Sequence, residues 1–406
     1  MATKAQKRPN GAGGVREYVL VDGARRWEIY FSEPDATGTL RRRFKKGFES
    51  HQSAKDELQA VQVHIREGTH QRLVKDSFGE YAEAYLSGLR VRATTQAAYL
   101  RHYRVHIHPA LAERKIASIT KNDLNRMYRD MERGGRKDTS GYGRPSSPAT
   151  VRHIHALVKQ ILQSAVDDGL IRSNPASLAS PPSASQARPP EIEAWDASQA
   201  TYFLERSRDR NDYLHIAWLL LLGTGMRRGE LVALRWRDVD LERGNLAIQR
   251  SYFYIKQKGM SPLKGFSTTK SGKSRVVDID PQLVDALARH KAAQIDARGE
   301  LGRDALVIAN RFDEPLNPEL LSQQFRGRVI ASRVDRPNLP LIKLHGLRHT
   351  HATLLLSSGI HPKVVQERLG HSNIVITLNT YSHVLPTLQR GAATAIGSLL
   401  TLSEIT

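Results

Sequence analysis

The chain has no cysteine among its 406 residues. Disulfides, thiolate zinc sites and cysteine nucleophiles are therefore excluded. Long apolar runs are missing too. The longest, His215 to Gly223 (H-I-A-W-L-L-L-L-G), falls well short of the roughly 20 residues that a membrane-spanning helix needs. No H-E-x-x-H or similar spacing marks a metal site, no cofactor motif stands out, and no internal repeat is visible. The N-terminus is polar and basic with no apolar segment behind it, which is unlike a secretory signal, so the expected location is the cytoplasm with no membrane partner. Acidic residues are scarce beside basic ones: 41 Asp and Glu stand against 61 Lys and Arg, a formal net charge of +20. Such an excess points to a polyanionic partner, and nucleic acid is the commonest.

The length calls for two or three domains, and a hydrophobic fraction of 40% is enough to build their cores. Residues up to about Gly14, rich in Lys, Gly and Asn, have the composition of an arm. Three strand candidates follow, Arg16 to Val21, Arg25 to Phe31 and Thr39 to Phe44. Asp22-Gly23 separates the first two as a hairpin signal, and Pro34 to Gly38 separates the next two. With a helical pattern from Ser53 to Glu67, they predict a three-stranded sheet backed by one helix. The third strand carries Arg41, Arg42, Arg43, Lys45 and Lys46. A charged edge strand would look the same, but the charge of the whole chain favours a sheet laid against DNA.

From about Leu73 to Ala176 the pattern is all-helical, with helices over Asp76 to Ser87, Thr94 to His106, Thr120 to Glu132 and Pro148 to Asp168. Thr120 with Asp123 resembles a capping box, and Gly169 stops the last helix. Arg101, Arg104 and Arg152 are DNA-contact candidates, although any one of them alone reads as a solvated helix face. Pro181 to Pro190 (P-P-S-A-S-Q-A-R-P-P) reads as a linker. Beyond it lies a mainly helical region with strands over Gly244 to Tyr254 and Ser274 to Ile279, and a turn over Thr268 to Lys273. The expected class is α+β and multidomain, divided at 1–72, 73–180, 181–190 (linker) and 191–406.

The densest chemistry is near the C-terminus: H-G-L-R-H from His345, L-G-H ending at His371, and N-T-Y-S-H around Tyr381. Far upstream stands T-G-M-R-R-G-E, Thr224 to Glu230. Two arginines, two histidines and a tyrosine suit attack on a phosphodiester. A guanidinium matches phosphate oxygens two at a time and stays charged. Arg227 follows an apolar helix and a Gly-Thr-Gly break, and Glu230, three residues on, is placed to brace it. His345 and Arg348 share a face if Lys343 to Ser357 is helical; His349 and His351, their neighbours, receive no role. Gly370 is expected to end a helix over Pro362 to Leu369, with Ser372 capping the next. A phenol ionises near pH 10, so cations around Tyr381 are expected to lower its pKa and favour the phenolate.

In this C-terminal half the chain resembles the tyrosine recombinases, or phage integrase family, whose pattern runs Arg, Lys, His-x-x-Arg, His or Trp, Tyr. Arg227, His345, Arg348, His371 and Tyr381 match in order. T-T-K-S-G-K-S-R places Lys270 at the lysine slot, with Lys273 and Lys264 as close alternatives. The helical middle resembles the family's core-binding domain and the N-terminal sheet its arm-type domain, on architecture alone. The resemblance implies a site-specific recombinase needing neither metal nor ATP. Tyr381 would form a 3′-phosphotyrosyl bond, Lys270 would protonate the 5′ leaving oxygen, and Arg227 and Arg348 would hold the phosphate. His345 and His371 would support proton transfer. The implied partners are duplex attachment sites (core and arm), a homotetramer passing through a Holliday junction, a host DNA-bending protein and an excisionase. A tail over Pro386 to Leu400 would dock on a neighbour. Two other readings compete: a type IB topoisomerase, which shares the chemistry without a synapsed partner, and a DNA-binding protein with a decayed site.

Overall fold

The computed structural model describes residues 13–34, 40–66, 77–134, 143–188, 193–256, 261–269, 272–381, 393–394, 396–398 and 400. Lys270, most of the Pro34 to Gly38 loop, the arm before Gly13 and most of the expected C-terminal tail lie outside these residues. Two compact units divide the chain, Met1–Arg188 and Pro189–Thr406.

In the first unit, β1 (Gly14–Val19), β2 (Arg25–Pro34) and β3 (Leu40–Phe48) form an antiparallel sheet in that order. Gly23 takes the left-handed conformation (φ 82°) that the first turn requires. Strand alternation sends Ile29 and Phe31 to one face, where Ala54, Leu58 and Val61 of α1 (His51–Arg66) bury them. β3 outruns its expected end because Phe48 joins this core opposite Trp27.

The helical part comprises α2 (Phe78–Gly88), α3 (Ala93–His102), α4 (His108–Leu111), α5 (Lys121–Arg133) and α6 (Pro148–Asp167). Capping boxes open α2 (Ser77 with Glu80) and α5 (Thr120 with Asp123), and Ser147 caps α6. The single helix expected over Thr94 to His106 is instead α3, a π turn over Tyr103–Ile107 and then α4. The reason is geometric. Tyr103, Ile107 and Leu111 are all buried at four-residue spacing, and an α-helix drifts about 40° per such step. The wider turn holds all three in one core just before Pro109, which lacks a backbone donor.

The second unit runs α7 (Ala197–Asp209), α8 (His215–Thr224), α9 (Arg228–Leu231), β4 (Val239–Asp240), β5 (Asn245–Ile248), β6 (Arg250–Ile255), β7 (Leu263–Thr268), β8 (Arg275–Asp278), α10 (Pro281–Arg298), α11 (Pro318–Ser332), α12 (Gly346–Ser357), α13 (Pro362–Leu369) and α14 (Ile374–Thr380). Trp195, Phe203, Trp218 and Phe325 knit α7, α8 and α11 together, with ring centroids 5.0 Å apart for Trp195–Phe203 and 5.4 Å for Trp218–Phe325. The strand expected over Gly244 to Tyr254 is two strands in two sheets, β5 in β4-β5-β8 and β6 in the β6-β7 hairpin. β7 was hidden by its polar, glycine-containing sequence. Gly265 sits there because a Cβ would press on the Phe253 ring at 3.3 Å. The helix expected from Lys343 begins at Gly346, and Asn373 rather than Ser372 caps α14, its side chain accepting from the Val375 N–H. Among the described residues no helix is long and apolar enough to cross a membrane.

Candidate active site

Arg348 lies in the first turn of α12 and is buried. Its guanidinium donates to the carbonyl of Gly225 (2.8 Å) and to that of Leu369 (2.8 Å). Both carbonyls belong to helix C-termini. Gly225 (φ 65°) ends α8 and Gly370 (φ 67°) ends α13, each in the left-handed conformation. Helix ends leave carbonyls without intrahelical partners and carry the negative pole of the helix dipole, so they can hold a cation. Burial, reinforced by Arg227, lowers the Arg348 pKa to about 9, which leaves it charged at neutral pH.

Arg227 caps α9, and its N–H and Nη1 both donate to the carboxylate of Glu230 (2.9 and 2.8 Å). The expected brace is therefore present, but Glu230 is shared. Arg275 of β8 donates to the same carboxylate at 2.7 Å and to the carbonyl of Arg368 at 2.9 Å. Glu230 is buried. Burial alone would raise its pKa, but Arg275 and then Arg227 hold it below the usual carboxylate range. Arg275 was not singled out from the sequence; its only signal was its place in the basic run T-T-K-S-G-K-S-R.

His345 stands at the N-terminus of α12 and His371 follows Gly370. The His371 Nδ1 is 2.8 Å from the Thr377 Oγ1. Desolvation, then Arg348 and Arg227, push His371 down to about 3; desolvation, then His349 and Arg348, hold His345 below the ordinary histidine range. Arg227, His345, Arg348 and His371 thus sit close enough to perturb one another, and Arg348 acts on Tyr381. Lys270 is outside the described residues. Among its described neighbours, the Thr269 hydroxyl donates to the Lys273 carbonyl (2.6 Å). Of the two alternatives, Lys264 pairs with Glu314 (3.4 Å), and Lys273 is exposed.

Tyr381 departs from expectation. It is 1% exposed and packs with Ala352, Leu356, Val365 and Leu369. Burial pushes its pKa up to about 12, and the opposing pull of Arg348 is the smaller effect. Its hydroxyl lies 2.9 Å from the His349 Nδ1, so one of the two histidines given no role touches the phenol. The other, His351, donates from Nδ1 to the carbonyl of Leu222 (2.6 Å) and accepts at Nε2 from Arg368 (3.1 Å). Arg368 also donates to the Gly223 carbonyl at 2.8 Å. This pair joins the end of α8 to α13 beneath Arg348.

The basic candidates outside this cluster differ from one another. On β3, Lys45 points to α1 and pairs with Glu57 (2.6 Å), whereas Arg42 and Lys46 lie on the opposite face over the rings of Tyr30 (5.3 Å) and Tyr18 (5.6 Å). Arg41 and Arg43 are exposed and alternate with Arg42 along the strand. Arg101 and Arg104 are exposed, while Arg152 donates to the Pro182 carbonyl (2.8 Å) and so fastens the start of the expected linker. Among the described residues no group of three or more His, Asp or Glu side chains is placed to hold a metal ion.

The family model described as the phage integrase family matches residues 195–387, and that of the phage integrase N-terminal SAM-like domain matches residues 77–131. A tyrosine recombinase XerC-like protein of Caldanaerobacter subterraneus subsp. tengcongensis is 28% identical over 324 residues, covering 76% of this chain and 78% of its own. A putative prophage phiRv2 integrase of Mycobacterium tuberculosis is 28% identical over 334 residues, covering 81% and 80%. Among solved structures, the Tn1549 transposon integrase in complex with transposon right end DNA aligns with a TM-score of 0.64 at 23% identity, covering 80% of this chain and 100% of that one. A lambda integrase tetramer bound to a Holliday junction aligns at 0.55 and 17% identity, covering 92% and 96%. At these identities the structural matches establish the mixed α+β fold.

Two outcomes test the site's electrostatics. Glu230→Gln should leave Arg227 and Arg275 facing each other without a counter-charge, at a cost of about 3–5 kcal/mol; denaturant unfolding that shows under about 1 kcal/mol would contradict the shared brace. The pKa values of His349 and His351 (about 4) and of His371 (about 3) lie below the ordinary histidine value. The folded state therefore binds fewer protons than the unfolded one between those limits. Their contribution to stability is complete above roughly pH 6.5 and drains away as pH falls toward about 4. Thermal denaturation should show a falling midpoint across that window, and a flat midpoint would contradict the assignment.

Proposed function

This chain belongs to the phage integrase family of tyrosine recombinases, enzymes that cut and rejoin DNA, and from that premise we propose that it is the site-specific integrase of a phage or integrative element. The observation that carries the reading is the cluster of Arg227, His345, Arg348 and His371, close enough to perturb one another, with Arg348 acting on the buried phenol of Tyr381. Phosphoryl transfer asks for charge on the non-bridging oxygens and a nucleophile in line with the leaving group. Arg227 and Arg348 supply the charge, and their positions are set by Glu230 and by helix-end carbonyls before any phosphate arrives. Tyr381 attacks the phosphorus and forms a 3′-phosphotyrosine, while Lys270 gives a proton to the departing 5′ oxygen. A 5′-hydroxyl from a partner duplex then reverses the step, and two rounds pass through a Holliday junction. The two relatives described above are a recombinase-like protein and an integrase, and they lend no support to the relaxing-enzyme alternative.

The division of labour we infer is an arm-type DNA-binding domain over 1–72, a helical core-binding domain over 73–180, a linker over 181–190 and a catalytic domain over 191–406. The separate cores beneath the sheet and within the helices support the first boundary. Duplex attachment sites are the substrate, and the surplus of positive charge supports that. A homotetramer on synapsed DNA in the bacterial cytoplasm, assisted by a host bending protein and an excisionase, completes the proposal. The lambda integrase tetramer bound to a Holliday junction supports the oligomer by likeness of fold.

Tyr381→Phe should abolish the covalent protein–DNA adduct on integration-junction DNA while leaving binding to that DNA intact; an undiminished adduct rejects the nucleophile. Removing residues 1–72 should weaken binding to accessory sites and spare the adduct at the core site. Loss of both would argue against a separate arm-binding domain.

A further inference from the structure

The contact between Tyr381 and His349 is not explained by the roles assigned so far. A tyrosine–histidine hydrogen bond is not in itself a proton-transfer site. Tyr128 makes the same 2.9 Å bond to His155 inside the helical core, where it only satisfies a buried hydroxyl. What differs at His349 is its company. It follows Arg348 directly in α12, the His345 ring meets it edge-on at 4.9 Å, and His371 lies near enough to feel it. Its partner is also the one tyrosine hydroxyl that the proposed chemistry must deprotonate.

The other histidines are placed differently. The His371 Nδ1 is engaged by Thr377 at 2.8 Å. His345 presents its ring to His349, at 88° between planes. The His351 Nδ1 is spent on the Leu222 carbonyl. His349 is the histidine whose ring nitrogen stands at hydrogen-bond distance from the Tyr381 oxygen.

We propose that His349 is the general base of the cleavage step, and the acid of the rejoining step, for the Tyr381 hydroxyl. This deepens the integrase reading and rests on it. In cleavage the Tyr381 Oη–H bond breaks and its proton passes to the His349 Nδ1. The oxygen forms a bond to phosphorus, the bond from phosphorus to the 5′ oxygen breaks, and that oxygen takes a proton from the acid on its own side, Lys270. In rejoining, the 5′ oxygen attacks, the phosphorus–Oη bond breaks, and the His349 imidazolium returns its proton to Tyr381. No electrons are gained or lost and no further reactant is needed.

The electrostatics make this transfer depend on the substrate. Desolvation, with Arg348 beside it, keeps His349 neutral down to about pH 4, so its Nδ1 is available to accept. Against a phenol raised to about 12, the transfer is far uphill between these two groups alone. A phosphate entering the pocket adds negative charge, which favours the imidazolium, and bond formation to phosphorus acidifies the phenolic proton as it leaves. The groups facing His349 are His345 and Arg348 from α12, His371 beyond α13 and Tyr381 at the end of α14; burial and then Arg348, the one fixed cation among them, oppose its protonation.

The test uses the full chain and a duplex of the element's integration junction, nicked near the cleavage site so that the covalent adduct accumulates in a single turnover. His349→Asn keeps an acceptor oxygen near the place of Nδ1 but cannot hold a proton. His349→Ala removes both functions, and binding to the same duplex shows that each variant is folded. The expected result is a loss of adduct-forming rate of about 10²- to 10⁴-fold in both variants, with DNA affinity retained. The wild-type rate is expected to fall toward acid pH as His349 becomes protonated, and that fall should be absent in both variants. His349→Asn with the wild-type rate and the wild-type pH profile would overturn the proposal, leaving His349 as a positioning residue only. A wild-type chain that forms no adduct would overturn the integrase reading and this one together, so the two failures are told apart.

Discussion

A guanidinium buried at the meeting point of three helices is the constraint on which the catalytic unit depends. Arg348 is taken out of water and donates hydrogen bonds to the carbonyls of Gly225 and Leu369. An isolated buried charge is costly, so these two helix ends must hold their positions. That requirement reaches back into the sequence. Both helices stop at a glycine with positive φ, and a side chain at Gly225 would collide with the His351 ring at 2.6 Å. The His351–Arg368 pair then ties the same ends together one layer lower through Leu222 and Gly223. Two motifs more than a hundred residues apart are thus joined by one cation and its carbonyls.

A second balance concerns Tyr381. Fixed positive charge stabilises a phenolate, and burial destabilises it. Burial wins, because the ring sits among Ala352, Leu356, Val365 and Leu369 and a single arginine opposes the effect. The nucleophile is therefore held protonated and out of solvent. In this account, reactivity appears when a phosphate and its charge complete the pocket, which restricts the chemistry to bound DNA.

Much of this architecture was legible in the sequence where local chemistry decides local structure. The cap at Thr120, the stops at Gly169 and Gly370 and the turn at Gly23 lie where side-chain type and glycine freedom put them. The ordered run of Arg227, His345, Arg348, His371 and Tyr381 stood out for a different reason, its match to the residue order of a known family. What escaped depended on distant partners. β7 becomes a strand because β6 pairs with it, and the break between β5 and β6 comes from two different sheets claiming one run. The π turn answers the demands of a core. Arg275 and His349 looked like ordinary neighbours of a motif, since nothing local tells that one shares the carboxylate of Glu230 and the other meets a phenol 32 residues on. The raised pKa of Tyr381 was misjudged because sequence proximity to cations says nothing about burial.

The proposed chemistry turns on one covalent bond, between phosphorus and the Tyr381 oxygen. Adduct trapped on nicked integration-junction DNA, digested with protease and nuclease and sequenced by mass spectrometry, reads that bond directly. The predicted result is a nucleotide esterified to Tyr381 in the peptide that follows α14. A nucleotide carried by a different residue, or trapped DNA with no peptide attached, would contradict it.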